Sequence, residues 1–300
     1  MSSGNKSRAV GVAVLTIPAL LICLTVLQGK IDASTASLEQ EKPELMLRSG
    51  TILKRLSLGY DSLLADIYWT RAIQYFGERT RRPGANFDLL APLLDITTTL
   101  DPKLIVAYRF GAIFLSEPEP AGAGRPDAAV GLVKNGIAAN PDEWRLYQDL
   151  GFLYSIHLKD YQKASQAYLE GSKNPQAQIW MKVMAARVAE SGDAIETSKL
   201  IWEEVYASTQ DALIHRSALG HIQALDAEAD LRRLNESSET FRIKFGKYPL
   251  TIRQLQDAGL VGERLQDPAG YPYVMGLFGA AQLDPRSPVI LDPNRKQTSR

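Results

Sequence analysis

Apolar residues recur at three- and four-residue intervals along most of the chain, which is the period of one helix face. Leu53, Leu56, Tyr60, Leu63, Leu64, Ile67 and Tyr68 keep this spacing, and Trp69, Ala72, Ile73, Tyr75 and Phe76 carry it to Gly77. The pattern predicts helix from Glu44 to Gly77 with one continuous apolar face. Glu78 to Asn86 is a basic loop broken by Pro83-Gly84, and a second helix from Phe87 to Leu100 ends at Asp101-Pro102. The same grammar returns with a helix from Leu104 to Leu115, a loop from Glu117 to Pro126, a helix from Asp127 to Ala139, and Asn140-Pro141. It returns again with Glu143 to Leu158, a turn at Lys159-Asp160, Tyr161 to Lys173, and Asn174-Pro175.

The three Asp-Pro or Asn-Pro stops stand thirty-nine and then thirty-four residues apart. Helix pairs at this period cannot bury their apolar faces alone and must stack on their neighbours, so the fold class expected is mainly α, an α-solenoid over residues 44–208. Residues 209–245 read as long or capping helices, from Leu213, Ala218, Ile222, Leu225, Leu231 and Leu234. From Gly246 the grammar changes. Thr251 is placed to cap a short helix through Ala258, Gly259 stops it, and Asp267 to Tyr273 is turn-rich before a short strand, Tyr273 to Leu277. Residues 246–280 thus form a small mixed module, and residues 281–300 read as a flexible tail.

The N-terminal end follows a different rule. Residues 9–28, AVGVAVLTIPALLICLTVLQ, carry no charge. As a helix they span about 30 Å, the thickness of a hydrocarbon core, and a membrane helix tolerates Pro18. A cleaved signal shares the basic flank, but Leu27-Gln28-Gly29-Lys30 is a poor small-x-small site. Ile22 before Cys23 argues against a lipoprotein signal. Lys6 and Arg8 precede the stretch and only Lys30 follows it closely, which places residues 1–8 in the cytoplasm and the rest outside. Residues 29–43 then form a stalk. The expected location is the inner membrane, single-pass, with the lipid bilayer held through residues 9–28.

Charge and chemistry narrow the function. The 34 basic and 34 acidic side chains balance, so no field gathers nucleic acid, and none is expected as a partner. One cysteine excludes an intramolecular disulfide and any multi-cysteine metal site. His215 and His221 are six apart, on different helical faces, and His157 suits capping carbonyls at a helix end. No phosphate-binding glycine loop and no nucleophile elbow occurs. The expectation is therefore no catalytic residue, no metal and no cofactor. An alternative reading makes the chain an envelope enzyme with an acidic and aromatic cleft around Asp66, which the periodicity turns inward toward a salt bridge with Arg71 or Arg109. Asp267 offers calcium a single carboxylate, a weak site.

The repeats resemble the tetratricopeptide-repeat family. Its leucine-glycine pair, tyrosine, small residue, aromatic and closing proline match Leu150-Gly151, Tyr154, Tyr161, Ala164, Tyr168, Gly171 and Pro175. A second copy reads Phe110-Gly111, Phe114, Ala129, Val133, Gly136 and Pro141. A third reads Ala72, Tyr75, Phe87, Leu90, Leu94 and Pro102. A fourth reads Ala185, Val188, Ser198, Trp202 and Val205. The resemblance covers roughly Asp66 to Ser208. It implies packing roles for Ala72, Gly111, Leu150, Gly151, Tyr154, Ala164, Tyr168 and Pro175. It also implies a groove for peptide or helix partners on the first helices, carried over to Trp69, Ile73, Phe76, Tyr108, Ala112, Arg145, Gln148 and Phe152.

A second resemblance covers about thirty residues. Gly246, Tyr248, Pro249, Leu255, Gly259, Leu260, Asp267, Pro268, Gly270, Pro272 and Tyr273 are similar to the C-terminal region of type II secretion major pseudopilins. The family's Gly-Phe leader site is missing from the apolar stretch. The resemblances together imply a membrane-anchored scaffold for protein or peptide partners in the cell envelope, within a secretion or pilus-type assembly. A pseudopilin-like structural subunit is the further alternative.

Overall fold

The computed structural model describes residues 49–82, 84, 86–262 and 265–292, together with Thr25 and Lys30. The chain divides into two units, Met1–Ser49 and Gly50–Arg300, and the fold below is that of the second. Residues 1–8, the anchor expected at 9–28 and the stalk at 29–43 fall outside the described residues, apart from Thr25 and Lys30. Among the described residues, no helix is long and apolar enough to cross a membrane.

The helix expected to run unbroken to Gly77 is two helices, α1 (Gly50–Leu56) and α2 (Asp61–Arg79). Leu58 and Gly59 break it with φ of 53° and 91°, a left-handed step that a continuing helix cannot contain. The face expected to be buried is buried only in part, at Leu53, Tyr68 and Ala72. Leu56, Tyr60, Leu63 and Ile67 are exposed, whereas Ala65, Tyr68 and Ala72 are buried. Small Ala65 and Ala72 let α2 lie close to its neighbour, so the chain sinks that side and leaves the bulkier stripe outside.

Helical hairpins follow in chain order. α2 pairs with α3 (Leu90–Leu100), and α4 (Ile105–Ser116) with α5 (Pro126–Ala139). Next, α6 (Trp144–Phe152), prolonged by one π-helical turn (Leu153–His157), pairs with α7 (Tyr161–Ser172). Then α8 (Trp180–Ser191) pairs with α9 (Ile195–Ser208). Close approach is built from glycine. A Cβ on Gly151 would meet the Tyr168 ring at 2.7 Å, and one on Gly136 would meet the Tyr108 ring at 2.8 Å. Ala72, Gly111, Leu150, Tyr154, Ala164 and Tyr168 are buried, while Pro175 is exposed beyond the end of α7.

The Asn-Pro stops do more than end helices. Asn140 follows α5, and its Nδ2 donates to the carbonyl of Pro102, just before α4, at 2.7 Å. Asn174 follows α7 and donates in the same way to the Asp142 carbonyl, just before α6, at 2.6 Å. Each amide ties the exit of a hairpin to its entrance.

α10 (Ala212–Phe245) is 34 residues long, about 50 Å at ~1.5 Å per residue. Asp211 caps it, accepting from Leu213 N and Ile214 N, and Gly246 ends it in left-handed backbone. Its first part packs on α9, and its second part carries the C-terminal module. That module holds α11 (Ile252–Asp257) and the antiparallel pair β1 (Val274–Met275) and β2 (Ala281–Gln282). Leu231, Leu234 and Phe241 of α10 form one core with Leu255, Tyr273 and Ala281. Of the tail expected to be flexible over 281–300, residues 281–292 are described and contribute to this core, and residues 293–300 lie outside the described residues. Ala281, Asp284 and Val289 are buried, and Leu291 packs against the cluster.

Candidate partner-binding face

On α6, Arg145, Gln148, Phe152 and Ile156 share one helical side, and Tyr147, Leu150 and Tyr154 share the opposite one. Arg145 and Phe152 are exposed and Gln148 is half-buried. Arg145 lies over the Trp144 ring at 4.8 Å and bonds Glu143 Oε1 at 3.1 Å. Phe152 meets His157 edge-on at 5.8 Å, so His157 packs on the face where capping was expected of it, and its Nε2 has no hydrogen-bond partner.

α4 presents a different side from the one expected. Tyr108 and Ala112, assigned to the groove, are each 2% exposed and belong to the core. The reason lies in Gly111, whose missing Cβ lets Leu94 and Leu132 approach within 2.8 and 2.9 Å of where it would stand. That contact turns the Gly111 side inward and takes Tyr108, Ala112 and Leu115 with it. The exposed side of α4 carries Val106, Phe110 and Ile113.

On α2 the outward residues are Leu63, Ile67 and Ile73. Trp69 and Phe76 are half-buried toward α4, where both stack on Phe114, at 6.2 and 4.0 Å between ring centroids. They form a seam between hairpins, beneath the outward row. Asp66 is exposed on α2, contrary to the expected inward position. Arg109, its proposed partner, instead bonds Asp149 of α6 through two nitrogens, Nε to Oδ2 at 2.7 Å and Nη2 to Oδ1 at 3.3 Å. This fork joins two successive first helices directly beside Phe110 and one helical turn from Phe152.

A cavity of about 950 Å³ opens on the other side of α6, among α5, α6 and α7. Tyr147, Leu150 and Tyr154 line its α6 side, and Lys134 and Lys163 stand over the Tyr154 ring at 5.8 and 5.6 Å. The sequence pattern placed no pocket there, because Leu150 and Tyr154 read as packing residues and Tyr147 carried no assigned role.

Asp267, the candidate calcium ligand, is 4% exposed and already engaged. Its Oδ1 accepts from Ala269 N at 3.0 Å and Tyr271 N at 2.8 Å, and its Oδ2 accepts from the Ser287 hydroxyl. The carboxylate organises the turn and pins the following strap. His221 stacks on Trp202 at 4.2 Å with its Nδ1 3.2 Å from Glu190, and His215 lies against Tyr206. Among the described residues, no group of three or more potential ligands is arranged to hold a metal.

No protein-family model matches the chain, and no curated protein matches it.

Proposed function

We propose that the chain is a membrane-anchored, extracytoplasmic scaffold of tetratricopeptide-like hairpins that holds protein or peptide partners. The observation that carries this reading is the row of large apolar side chains exposed on three successive first helices, α2, α4 and α6. Isolated exposed leucines need no explanation, but a row repeated from hairpin to hairpin marks an interaction surface. Phe110 and Phe152, flanking the Arg109–Asp149 fork, supply aromatic and guanidinium groups of the kind that dominate interface energetics. An anchor at residues 9–28 raises the effective concentration of whatever is held at the membrane. The pseudopilin-like turn at Asp267–Tyr273 favours a secretion or pilus-type envelope assembly as the setting.

The test is crosslinked capture from solubilised membranes with a C-terminal tag. Phe110→Asp and Phe152→Asp alter exposed positions and leave the core alone, so the variants are expected to fold and to lose the captured partners. Partners retained by both variants would remove the first-helix face from the proposal. An enzymatic role around Asp66 would be favoured instead if the protein returned alone and Asp66→Ala abolished a turnover with the fold intact.

A further inference from the structure

The turn between α1 and α2 presents an apolar tip to solvent. Leu56, Leu58 and Tyr60 are 63%, 88% and 67% exposed, and Leu63 beside them on α2 is 58% exposed. Leu58 also sits at φ 53°, so one residue carries both the cost of left-handed backbone and that of a leucine in water. The turn is nonetheless fixed. Tyr60 N donates to the Ser57 carbonyl at 2.9 Å, and the buried Ser57 hydroxyl lies between the Lys54 carbonyl, 2.7 Å away, and the Asp61 carboxylate.

The charge around the tip is one-sided. Lys54 and Arg55 are exposed on the last turn of α1, Lys54 Nζ donating to the Thr99 carbonyl at 3.1 Å, and Asp61, the nearby acid, is drawn onto Ser57. Leucine, tyrosine and cations in one small projection are the mixture that suits the interfacial layer of an anionic bilayer. Chain continuity points to the same partner. Twenty residues, 29–48, separate the apolar stretch from Ser49, at most ~70 Å even when fully extended. A tethered tip meets the membrane at high effective concentration, so a few apolar side chains suffice to hold it there.

We propose that the Leu56–Tyr60 turn dips into the headgroup layer of an anionic membrane, with Arg55 against lipid phosphates and the Lys54 charge beside it. The proposal rests on the reading of residues 9–28 as a membrane anchor.

The test uses the full chain reconstituted into vesicles of phosphatidylcholine with phosphatidylglycerol. A nitroxide at Leu58→Cys, in a Cys23→Ser background, is compared with one at Leu213→Cys, which is 74% exposed at the start of α10. The label at 58 is expected to collide with a water-soluble nickel chelate several-fold less often than the label at 213, and with oxygen more often. Equal nickel collisions at the two positions would overturn the proposal. Dipolar broadening between labels at 58 would do so as well, assigning the tip to a second copy of the chain. A label on native Cys23 in the otherwise unaltered chain reads the anchor itself. Cys23 shielded with position 58 exposed to nickel removes the tip alone, and Cys23 exposed to nickel removes the anchor and the tip together.

Discussion

Arg109 and Asp149, forty residues apart in sequence, meet in a two-pronged ion pair across successive first helices. Burial raises the Asp149 carboxyl above its ordinary value, against the lowering pull of the Arg109 guanidinium. A carboxyl whose folded-state pKa is raised costs stability as pH rises through that value and it ionises. Arg109→Ala removes the lowering pull and leaves the anion unpaired. The variant is expected to lose about 1–2 kcal/mol at pH 7 and less near pH 4, with Asp149→Asn recovering part of the loss. Urea denaturation of the four combinations at both pH values checks it; equal losses at both would exclude the carboxylate as the cause.

The glycines separate into two kinds. Gly151 faces the flat of the Tyr168 ring at a distance no Cβ tolerates, and Gly131, on the exposed side of α5, has open space around it. Gly151→Ala is expected to cost about 1–3 kcal/mol through overpacking. Gly131→Ala is expected to gain up to about 1 kcal/mol from helix propensity. Thermal melts of the two variants suffice, and a stabilised Gly151→Ala would show that the hairpin can open without penalty.

Asn140 offers a test of the exit-to-entrance tie. Its amide bonds Pro102 O at 2.7 Å and Gly136 O at 3.1 Å while nearly buried. Asn140→Ala should lower stability by about 1–2 kcal/mol with an unchanged denaturant slope. The equivalent change at the less buried Asn174 should cost less. The reverse order would mean that the ties do not act as local clamps.

Asp284 makes a pH prediction of the opposite sign. Hydrogen bonds from the Arg286 side chain and backbone lower its carboxyl to about 2. A lowered folded-state pKa gives stability that is complete above the ordinary carboxylate range and is lost as pH falls through about 2. Carbon-detected NMR titration should place the Asp284 midpoint near that value, and Arg286→Ala should return it toward the ordinary range. A normal midpoint in the unaltered protein would contradict the bonded geometry.

How much of this was legible in sequence depended on what kind of residue carried the information. The Asn-Pro and Asp-Pro stops placed α3, α5 and α7 within a few residues, because proline and the residue before it restrict the backbone locally. What Asn140 does with its side chain involves a carbonyl thirty-eight residues away, and no local rule points to it. The break at Leu58 escaped because leucine promotes helix and only Gly59 hinted otherwise. The outward side of α4 escaped for a tertiary reason. Tyr108 and Phe110 are equally apolar by composition, and the choice between them was made by Gly111 against Leu94 and Leu132. Arg145, Gln148 and Phe152 needed no such arbitration, because Trp144, Leu146 and Leu150 leave α6 a single apolar side to bury.

Stacked helical hairpins ordinarily fray from their ends, since a terminal unit has a neighbour on one side only. Here α10 packs on α9 and is also part of the hydrophobic core of the C-terminal module. Peeling away the last hairpin therefore means exposing one side of a rod whose far half is still held. The C-terminal end of the helical hairpins is locked rather than loose, and a pull applied at either end of α10 is delivered to the other along a single continuous helix.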